Sequence, residues 1–583
     1  MSTLNGTYGF SETALEILHE RYLRRDDRGQ IIESVDDMFE RVAHAIAQPA
    51  RRYGEDVDHW EQRFLERLRR LEFLPNSPTL MNAGLPNGQL AACFVLPIED
   101  DLDSIFAAVS RMARIHQTGG GTGFSFSRLR PREDRVSSTG GVTSGPLSFM
   151  DLFDQTTAVI RQGGRRRGAN MAVLRVDHPD IEEFIDAKRN PSRLQNFNLS
   201  VGITEPFWSA LLAAAAFPLR NPRNGAITGQ VDARQLFDKI VGAAWATGDP
   251  GLLFLDEINR VNPTPALGTI EATNPCGEQP LLPYESCTLG SLNLGKFAAA
   301  GDVNWSKLAA AISDAVVFLD NVIDANHYPF SEIQCATHRT RKIGLGVMGL
   351  ADLFAGIGVP YDSDGALMRA DKIAKFLTAE AWAASIELGK RRGSFPAFGA
   401  SIWPQRGLTA MRNATVTCVA PTGTISLIAG ASPSIEPYFA LALSRRVLDG
   451  RVHTEINPFV AAELAQLGAA GQSAGAAIRQ SGSLRSQTDL PQDLRRRFPI
   501  ALEIAPVHHV SMQAAFQKHI DAAVSKTVNL PPDAPPSAVS EIFMLAHDLR
   551  LKGITVYRYG SRSGQTLSLI DEAARPDCRE CGV

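Results

Sequence analysis

The stretch Asn274-Pro275-Cys276-Gly277-Glu278 sets a thiol between an amide and a carboxylate. In an extended turn, side chains two apart can point the same way, so the first, third and fifth residues could face one small substrate. They would offer a neutral hydrogen-bonding group, a reactive sulfur and a general base. Pro275 fixes the backbone and Gly277 frees it, as a rigid loop tip requires. Spacing alone equally allows a surface turn with a buried structural cysteine.

The composition is that of an ordinary globular protein. The chain has 583 residues, of which 44% are hydrophobic and 21% charged, so it can bury a large core and exceeds one simple domain. Its net charge of −4 excludes a global basic field for nucleic acid or anionic lipid. The first residues lack a secretion-signal pattern, and no apolar run reaches the ~18 residues of a membrane span. We therefore expect a cytoplasmic protein with no nucleic-acid or membrane partner.

Cysteine usage indicates thiols rather than a disulfide scaffold. There are seven cysteines, and an odd number argues against full structural pairing. Cys335 and Cys418 have no partner motif nearby, so we predict that both are packing residues. Cys578 and Cys581 form a C-x-x-C pair on a polar tail, which favours a redox dithiol. The alternative, half of a zinc site, lacks a second Cys or His pair, and no metal site is predicted.

Periodicity predicts an α/β protein. Residues 12 to about 72 carry apolar side chains at helical spacing, and amphipathic helices then alternate with short apolar runs. That alternation favours parallel strands. Residues 460–485 are rich in small and polar residues and are predicted to form a peripheral helix and loop. The predicted strands are 94–96, 172–174, 199–202, 252–255 and 416–420, and the predicted helices between them are 179–188, 233–247, 304–326 and 369–390.

A family resemblance extends these inferences. The segment Ala272-Thr-Asn-Pro-Cys-Gly-Glu-Gln-Pro-Leu281, continuing to Ser286-Cys-Thr-Leu-Gly-Ser-Leu-Asn-Leu294, resembles the finger loop of ribonucleotide reductase catalytic subunits. The resemblance runs from about residue 10 to the C-terminus and is closest to the adenosylcobalamin-dependent class. It implies a ten-stranded α/β barrel of two five-stranded parallel halves, with the finger loop through its centre. It also implies a helical region at 1–90, the barrel at 91–560 and a redox-active tail at 561–583.

The same resemblance implies a radical mechanism at the tip of a buried hairpin. Cys276 matches the thiyl residue that takes the 3′-hydrogen of a ribonucleotide. Glu278 matches the carboxylate that removes the 3′-hydroxyl proton, and Asn274 the amide that holds the substrate hydroxyls. Cys93, in Gln89-Leu-Ala-Ala-Cys-Phe-Val-Leu96, and Cys287 match the dithiol that supplies electrons and becomes a disulfide. This pairing requires Cα atoms within roughly 7 Å.

Re-reduction and nucleotide binding are implied in the same way. Cys578 and Cys581 match the tail that reduces the active-site disulfide, with a thioredoxin-like protein as reductant. The turn at Pro421–Ile425 resembles the site for the substrate 5′-phosphates, although alone it is equally a helix cap. Ser77 matches a second substrate contact, and Ala92 and Gly121 match positions where backbone lies against the nucleotide. The residues of the phosphate turn are Pro421, Thr422, Gly423, Thr424 and Ile425.

Two further loops resemble specificity loops. They are residues 131–145 and 162–170, the second containing Arg165, Arg166 and Arg167 among glycines. Asp100 matches an acidic contact to the effector, which in the family is a deoxynucleotide or ATP bound at a homodimer interface. The ordinary alternative is a pair of solvent-exposed turns.

The source of the radical is indicated by Tyr557-Arg558-Tyr559. The diiron-dependent class passes its radical through two adjacent tyrosines, and arginine here occupies the second position. This favours adenosylcobalamin as cofactor. The predicted function is reduction of ribonucleotides, preferably diphosphates, to deoxyribonucleotides. The alternatives are a diiron-class large subunit that needs a radical-generating partner, and a non-catalytic nucleotide-binding regulator with the same fold.

Overall fold

The fold is that of a computed structural model, which describes residues 9–135, 140–160, 168–446 and 452–562. The N-terminal region is helical, as predicted. Ser11, Ser34 and Asp56 each cap a helix by accepting a hydrogen bond from a backbone amide of its first turn. These helices are α1 (Glu12–Ile17), α2 (Val35–Ala47) and α3 (Val57–Arg69).

The remaining helices surround a large sheet. The predicted helix at 233–247 has the predicted bounds, because Asp232 caps its start and Gly248 ends it in a left-handed conformation. In chain order these helices are α4 (Ser77–Asn82), α5 (Leu102–Gln117), α6 (Pro146–Val159), α7 (Ile181–Asp186), α8 (Glu205–Leu212), α9 (Ala233–Thr247), α10 (Leu255–Arg260), α11 (Trp305–Ala325), α12 (Ser331–Thr340), α13 (Leu350–Gly356), α14 (Asp364–Arg392), α15 (Gly423–Ala429), α16 (Pro458–Ala465), α17 (Gly468–Ser481), α18 (Gln492–Arg497), α19 (Pro506–Gln517) and α20 (Pro536–Asp548).

The sheet has ten strands, and five of them form one parallel run. Their order in the sheet follows the chain, with every neighbouring pair parallel. Both faces are covered, and the strands are correspondingly apolar. This run confirms the predicted α/β class and four of the predicted strands. It consists of β2 (Cys93–Val95), β3 (Gly121–Ser125), β4 (Asn170–Arg175), β5 (Phe197–Ile203) and β8 (Gly251–Phe254).

The other five strands complete the ring. Two pairs among them are parallel, and β1 runs antiparallel to β11. The predicted strand at 416–420 contributes only single-residue bridges, from Thr417 to Leu345 and from Val419 to Val524. These bridges connect β14 to the segment just before β17 and so close the sheet. The five strands are β1 (Phe73–Pro75), β11 (Ser286–Asn293), β14 (Ile343–Met348), β17 (Thr527–Leu530) and β18 (Gly553–Arg558).

A short hairpin lies inside this ring. Its two arms are β9 (Ala272–Thr273) and β10 (Pro280–Leu281). A β-carbon built on Gly123 of β3 would overlap the carbonyl oxygen of Thr273. On the other side, Ala523 donates its N–H to the Glu278 carbonyl at 2.9 Å, and a β-carbon built on Gly344 of β14 would lie 2.5 Å from the Gln279 side chain. Because the hairpin touches strands of both groups, it occupies the centre of the barrel, as the resemblance implied.

The periphery carries three two-stranded sheets. The predicted helix and loop at 460–485 is observed as α16 and α17, beside the third of them. None of the helices in the described part of the chain has the length and apolar character that crossing a membrane requires. The peripheral sheets are β6 (Ala216–Arg220) with β7 (Ile227–Asp232), β12 (Ala298–Ala299) with β13 (Asp302–Val303), and β15 (Ala442–Arg446) with β16 (Val452–Ile456).

A buried ionic network joins the N-terminal helices to the barrel. Asp320 of α11 is fully buried, and its carboxylate lies 2.8 Å from Arg341 and 3.1 Å from both Arg392 and Arg412. Arg392 also pairs with Glu55, between α2 and α3, at 2.5 Å. Burial would raise the pKa of Asp320, but the three guanidinium charges outweigh it and lower that pKa to about 2.

Candidate active site

The apex of the central hairpin is a tight turn held by its own backbone. Asn274 donates its N–H to the Gln279 carbonyl at 3.2 Å, and its side-chain oxygen accepts the Gln279 N–H at 3.0 Å. The Gly277 N–H reaches the Asn274 carbonyl at 3.1 Å. Gly277 has φ of +83°, a conformation that L side chains rarely adopt, so the turn requires glycine here. The turn therefore fixes the residues on either side of Cys276.

The flanking polar residues converge on Cys93 of β2. Asn274 Nδ2 lies 3.1 Å from the Cys93 sulfur, and Glu278 Oε1 lies 3.9 Å from it. Both polar side chains are 2% exposed. Burial, and next the nearby Glu278 carboxylate, raise the pKa of the Cys93 thiol well above its usual range. In this structure Cys93 is therefore a protonated thiol that can donate a hydrogen atom or a proton.

Cys93 and Cys287 face each other across two strands. They are direct partners in the antiparallel pairing of β2 with β11. Directly opposed residues in such a pair have Cα atoms about 4.5–5.5 Å apart, inside the range in which a disulfide closes. Both are buried free thiols. The structure thus brings together two cysteines that the sequence separates widely, in a geometry suited to reversible oxidation.

Cys276 differs from its neighbours because it is exposed. The resemblance placed this residue at a buried tip, and that expectation is wrong for the thiol itself. Cys276 nevertheless lies close enough to Cys93 to contribute to the raised pKa of that thiol. The apex thiol is therefore open to an incoming molecule on one side and near the dithiol on the other.

The two cysteines predicted to be packing residues have different environments. Cys418 is fully buried beside Gly344, where an added β-carbon would lie 2.6 Å from its sulfur. It shares an apolar cluster with Cys93 and Cys287. Cys335 is exposed on α12, so the prediction is wrong for that residue. Its helix presents it outward, while Ile333 and Thr337 face the interior.

The predicted phosphate turn opens α15. Thr422 adopts a left-handed φ of +56°, and its hydroxyl accepts the Ser434 N–H at 2.7 Å. Gly423 is exposed, Pro421 and Thr424 are half-buried, and Ile425 is buried. Helix α15 packs against β1, the strand that leads into Ser77. The fold thus brings two separately predicted substrate contacts to one side of the barrel.

Ser77 begins α4, and Ala92 and Gly121 lie beside the hairpin. The Ser77 hydroxyl is 2.7 Å from the Tyr22 hydroxyl. Ala92 accepts a hydrogen bond from the Gly121 N–H at 2.8 Å. A β-carbon on Gly121 would lie 2.8 Å from Pro275, so this glycine permits close approach of the hairpin itself.

The predicted effector residues are only partly described. Asp100 pairs with Arg130 at 2.7 Å and accepts the Arg130 N–H at 3.1 Å. It therefore lies at the entry to the first predicted specificity loop. Arg165, Arg166 and Arg167 fall outside the described residues, as do Cys578 and Cys581 of the tail.

The tyrosines near the C-terminus do not form an adjacent pair. Between them, the Arg558 guanidinium lies 4.0 Å from the Trp245 ring centre and donates to the Pro532 carbonyl at 3.0 Å. Tyr557 is half-buried, and the Tyr559 ring centre lies 6.4 Å from that of Phe439. A cation thus occupies the position that a tyrosine relay would need.

Sequence reasoning missed several residues around the site. Asn198 of β5 donates to the Pro275 carbonyl at 2.7 Å and anchors the hairpin apex. Glu285 and Lys342 form a buried ion pair beside β11, with nitrogen and oxygen 2.6 Å apart. The one available signal was a lysine that opens the otherwise apolar run Lys342-Ile-Gly-Leu-Gly-Val-Met348. Among the described residues, no cluster of His, Cys, Asp and Glu is arranged to hold a metal ion.

Comparison with known proteins supports these observations. Residues 91–557 match the family model described as "Ribonucleotide reductase, barrel domain", and residues 8–88 match "Ribonucleotide reductase, all-alpha domain". A "Vitamin B12-dependent ribonucleoside-diphosphate reductase" of Mycobacterium tuberculosis (strain CDC 1551 / Oshkosh) is 52% identical over 96% of this chain and 80% of its own length. A protein of the same description from Thermoplasma acidophilum is 44% identical over 97% of this chain and 81% of its own length.

A solved structure agrees with the fold. The "Actinobacillus ureae class Id ribonucleotide reductase alpha subunit" superposes with a TM-score of 0.78 at 25% identity, covering 94% of this chain and 97% of that one. The matched models cover most of the chain, and the central hairpin carries the expected thiol, amide and carboxylate. The chain belongs to the ribonucleotide reductase family.

Proposed function

We propose that this protein is an adenosylcobalamin-dependent reductase of ribonucleoside diphosphates that supplies deoxyribonucleotides for DNA synthesis. The observation that carries the proposal is the cross-strand pairing of Cys93 with Cys287 beside the apex of the central hairpin. It occurs in a chain that is 52% identical to a relative described as a vitamin B12-dependent ribonucleoside-diphosphate reductase. The name of that relative also favours diphosphates over triphosphates.

Each residue of the site has a separate task in this proposal. Cys276, as a thiyl radical, takes the 3′-hydrogen atom of the substrate and later returns it. Glu278 accepts the 3′-hydroxyl proton, and Asn274 holds the hydroxyl groups. The 2′-hydroxyl leaves as water, while Cys93 and Cys287 supply two electrons and become a disulfide. The balance is one ribonucleotide and one dithiol converted to one deoxyribonucleotide, one water and one disulfide.

Two features of the structure fit the cofactor. The apex thiol of Cys276 is exposed, so a large molecule can approach it along the Pro275–Gly277 turn. Arg558, held on Trp245, interrupts the tyrosine pair that a diiron partner would need. When bound, adenosylcobalamin supplies an organic radical able to oxidise a thiol. The chain itself holds the receiving thiol in place and keeps its polar neighbours out of water.

The remaining positions are assigned in this proposal to substrate and effector binding. In the proposal the turn Pro421–Ile425 binds the 5′-phosphates through backbone N–H groups and hydroxyls. Ser77 adds a contact from the neighbouring strand end, and Ala92 and Gly121 contribute backbone beside the nucleotide. Asp100, with Arg165, Arg166 and Arg167, binds a deoxynucleotide or ATP effector at a homodimer interface.

The proposal also includes a route for electrons. The tail from residue 561 carries Cys578 and Cys581 to the oxidised site, and a thioredoxin-like protein then reduces the tail. We place the enzyme in the cytoplasm, where thiols stay reduced.

A reconstitution assay tests the function. The purified chain is incubated with adenosylcobalamin, dithiothreitol and each ribonucleoside di- or triphosphate, with and without candidate effectors. We expect deoxyribonucleoside diphosphates without any second protein subunit. Strict dependence on a radical-generating protein would reject the cofactor assignment. Nucleotide binding with no reduction under any condition would instead indicate a regulator.

A further inference from the structure

A buried ion pair beside the dithiol has no task in the reaction proposed above. Lys342 and Glu285 are 1% and 2% exposed at their side chains, with Nζ and Oε2 2.6 Å apart. Glu285 also accepts hydrogen bonds from the Thr340 hydroxyl at 2.8 Å and the Leu282 N–H at 2.7 Å. Burying two charges is costly even when they are paired. Such a pair is therefore a candidate for an electrostatic role.

The pair lies next to Cys287. Glu285 precedes that cysteine by two residues and lies directly before the first residue of β11. Strands β11 and β14 are parallel, with Thr288 opposite Ile343. Continuing this register by one residue brings Lys342 opposite Cys287. Lys342 thus directly precedes the strand beside the sulfur, and Glu285 directly precedes the strand that carries the sulfur.

Of the two charges in the pair, the Lys342 ammonium has the larger effect on the pKa of the Cys287 thiol. Burial raises the pKa of Cys287 well above its usual range, and neighbouring Cys418 raises it further. Lys342 lowers the same pKa, and by more than Glu285 raises it. The charged or titratable groups that act on Cys287 are Cys418, Lys342, Glu278 and Glu285. Lys342 is the cation among them, so it selectively favours the thiolate form.

The two sulfurs of the dithiol also differ in access. Cys93 lies among Asn274 and Glu278, next to the exposed apex thiol, and is 3% exposed. Cys287 is 0% exposed, and its sulfur donates to the Thr288 carbonyl of its own strand at 3.5 Å; both cysteines share an apolar cluster with Cys418. In thiol–disulfide exchange, rates depend on which sulfur can be reached and on how well the other leaves as a thiolate.

We propose that the Cys93–Cys287 disulfide is opened in one direction, with attack on Cys93 and departure of Cys287 as a thiolate stabilised by the Lys342 ammonium. This inference rests on the proposed function, because it assigns a disulfide at this position. An incoming thiolate of a dithiol forms a bond to the Cys93 sulfur as the Cys93–Cys287 bond breaks. The second thiolate of the reductant then displaces Cys93. The reductant loses two protons, and the Cys93 and Cys287 thiolates take up two. The balance is one dithiol oxidised and one disulfide reduced.

Glu285 has a supporting role in this arrangement. The Glu285 carboxylate lies 2.6 Å from the Lys342 ammonium, and its own two further hydrogen bonds fix it there; an amide oxygen at this position could hold the ammonium in the same way. Lys342 is thus a positioning residue that acts through Cys287 and does not touch the substrate.

The test uses full-length protein that carries Cys578→Ser and Cys581→Ser, so that electrons come only from an added thiol. The disulfide is formed with a chemical oxidant, which requires neither cofactor nor substrate. Opening by dithiothreitol is followed by acid quenching, alkylation and mass spectrometry. We expect Lys342→Met with Glu285→Gln to slow opening by about tenfold or more, while Glu285→Gln alone does not slow it. Equal rates in these two variants would overturn the role of Lys342.

Two further readouts separate this role from a structural one. With 2-mercaptoethanol, a monothiol, the trapped mixed disulfide is expected on Cys93, with alkylated Cys287; the reverse distribution would overturn the direction of attack. In a Cys93→Ser background, the thiolate absorbance of Cys287 is expected to appear at higher pH when Lys342 is replaced. One turnover of pre-reduced wild-type enzyme with adenosylcobalamin and a ribonucleoside diphosphate is measured separately. Its failure would reject the proposed function, whatever the exchange rates show.

Discussion

Cys93 and Cys287 are direct cross-strand partners, and Cys93 also contacts Asn274 at the apex of the hairpin in the centre of the barrel. We expect one turnover without reductant to convert this pair to a disulfide. Thiol counting and peptide mapping should show the loss of two free thiols per chain, both from these positions. Cys418→Ser is the control, and it should leave the pair unchanged because Cys418 lies on a separate segment that does not pair with β2 or β11. A Cys287–Cys418 disulfide would contradict the assignment.

Replacing the apex thiol tests the radical step. Cys276→Ser should reduce turnover by at least about 10³-fold, because a hydroxyl does not substitute for a thiol in this chemistry. Stability should change by less than about 0.5 kcal/mol, since the side chain is exposed. The matched control is Cys335→Ser, which removes another exposed thiol on α12 and should retain full activity. Turnover that survives in Cys276→Ser would refute the mechanism.

The tyrosines beside Arg558 provide a test of the radical source. Tyr557→Phe and Tyr559→Phe should each keep activity within about twofold of wild type, because neither phenol is needed when the cofactor supplies the radical. The assay is the steady-state rate with adenosylcobalamin. A large loss in Tyr557→Phe, with the fold retained, would revive the diiron alternative.

The close packing of β3 against the hairpin predicts that stability and turnover both require glycine at position 123. Gly123→Ala should destabilise the protein by about 1–3 kcal/mol and impair turnover, because the new methyl group would overlap the Thr273 carbonyl. Gly242→Ala is the control: this helical glycine has open space around its would-be β-carbon. It should be neutral or stabilising. Thermal unfolding and the reconstituted assay measure both effects, and similar behaviour of the two variants would argue against a central hairpin.

The network around Asp320 predicts acid sensitivity. The pKa of Asp320 falls from 3.8 to about 2 in the fold, so its stabilising contribution is present above the unfolded value and is lost as pH falls toward about 2. Asp320→Asn should cost about 3–5 kcal/mol at neutral pH, because it leaves buried guanidinium groups without their anion. Glu66→Gln, at the exposed pair with Arg70, should cost below about 1 kcal/mol. Unfolding midpoints between pH 2 and 7 provide the comparison; equal losses for the two variants would contradict the argument.

Local sequence signals predicted much of this fold. The helix at 233–247 was predicted with its observed bounds, since a capping aspartate and a terminal glycine mark its ends. The strand predicted at 416–420 is only a pair of bridges, because Thr417 and Val419 pair with different neighbours, Leu345 and Val524. The composition of this segment indicates an apolar run, but it does not show how few backbone pairs the segment forms with neighbouring strands.

The site was less predictable. The hairpin trio could be proposed from spacing, and the distant dithiol only from family resemblance, because strand register decides which cysteines meet. The Lys342–Glu285 pair joins residues 57 positions apart, and no local pattern links them. Exposure of Cys276 was predicted wrongly, since burial of the flanking residues does not extend to the apex.

That exposure has a consequence for handling the protein. An exposed thiol can be oxidised by peroxide and by other products formed from dissolved oxygen. Oxidation past the sulfenic acid is irreversible in most proteins. Resting enzyme purified in air should therefore lose activity progressively. A ribonucleotide bound over the loop should slow this loss, because it would cover the Cys276 sulfur.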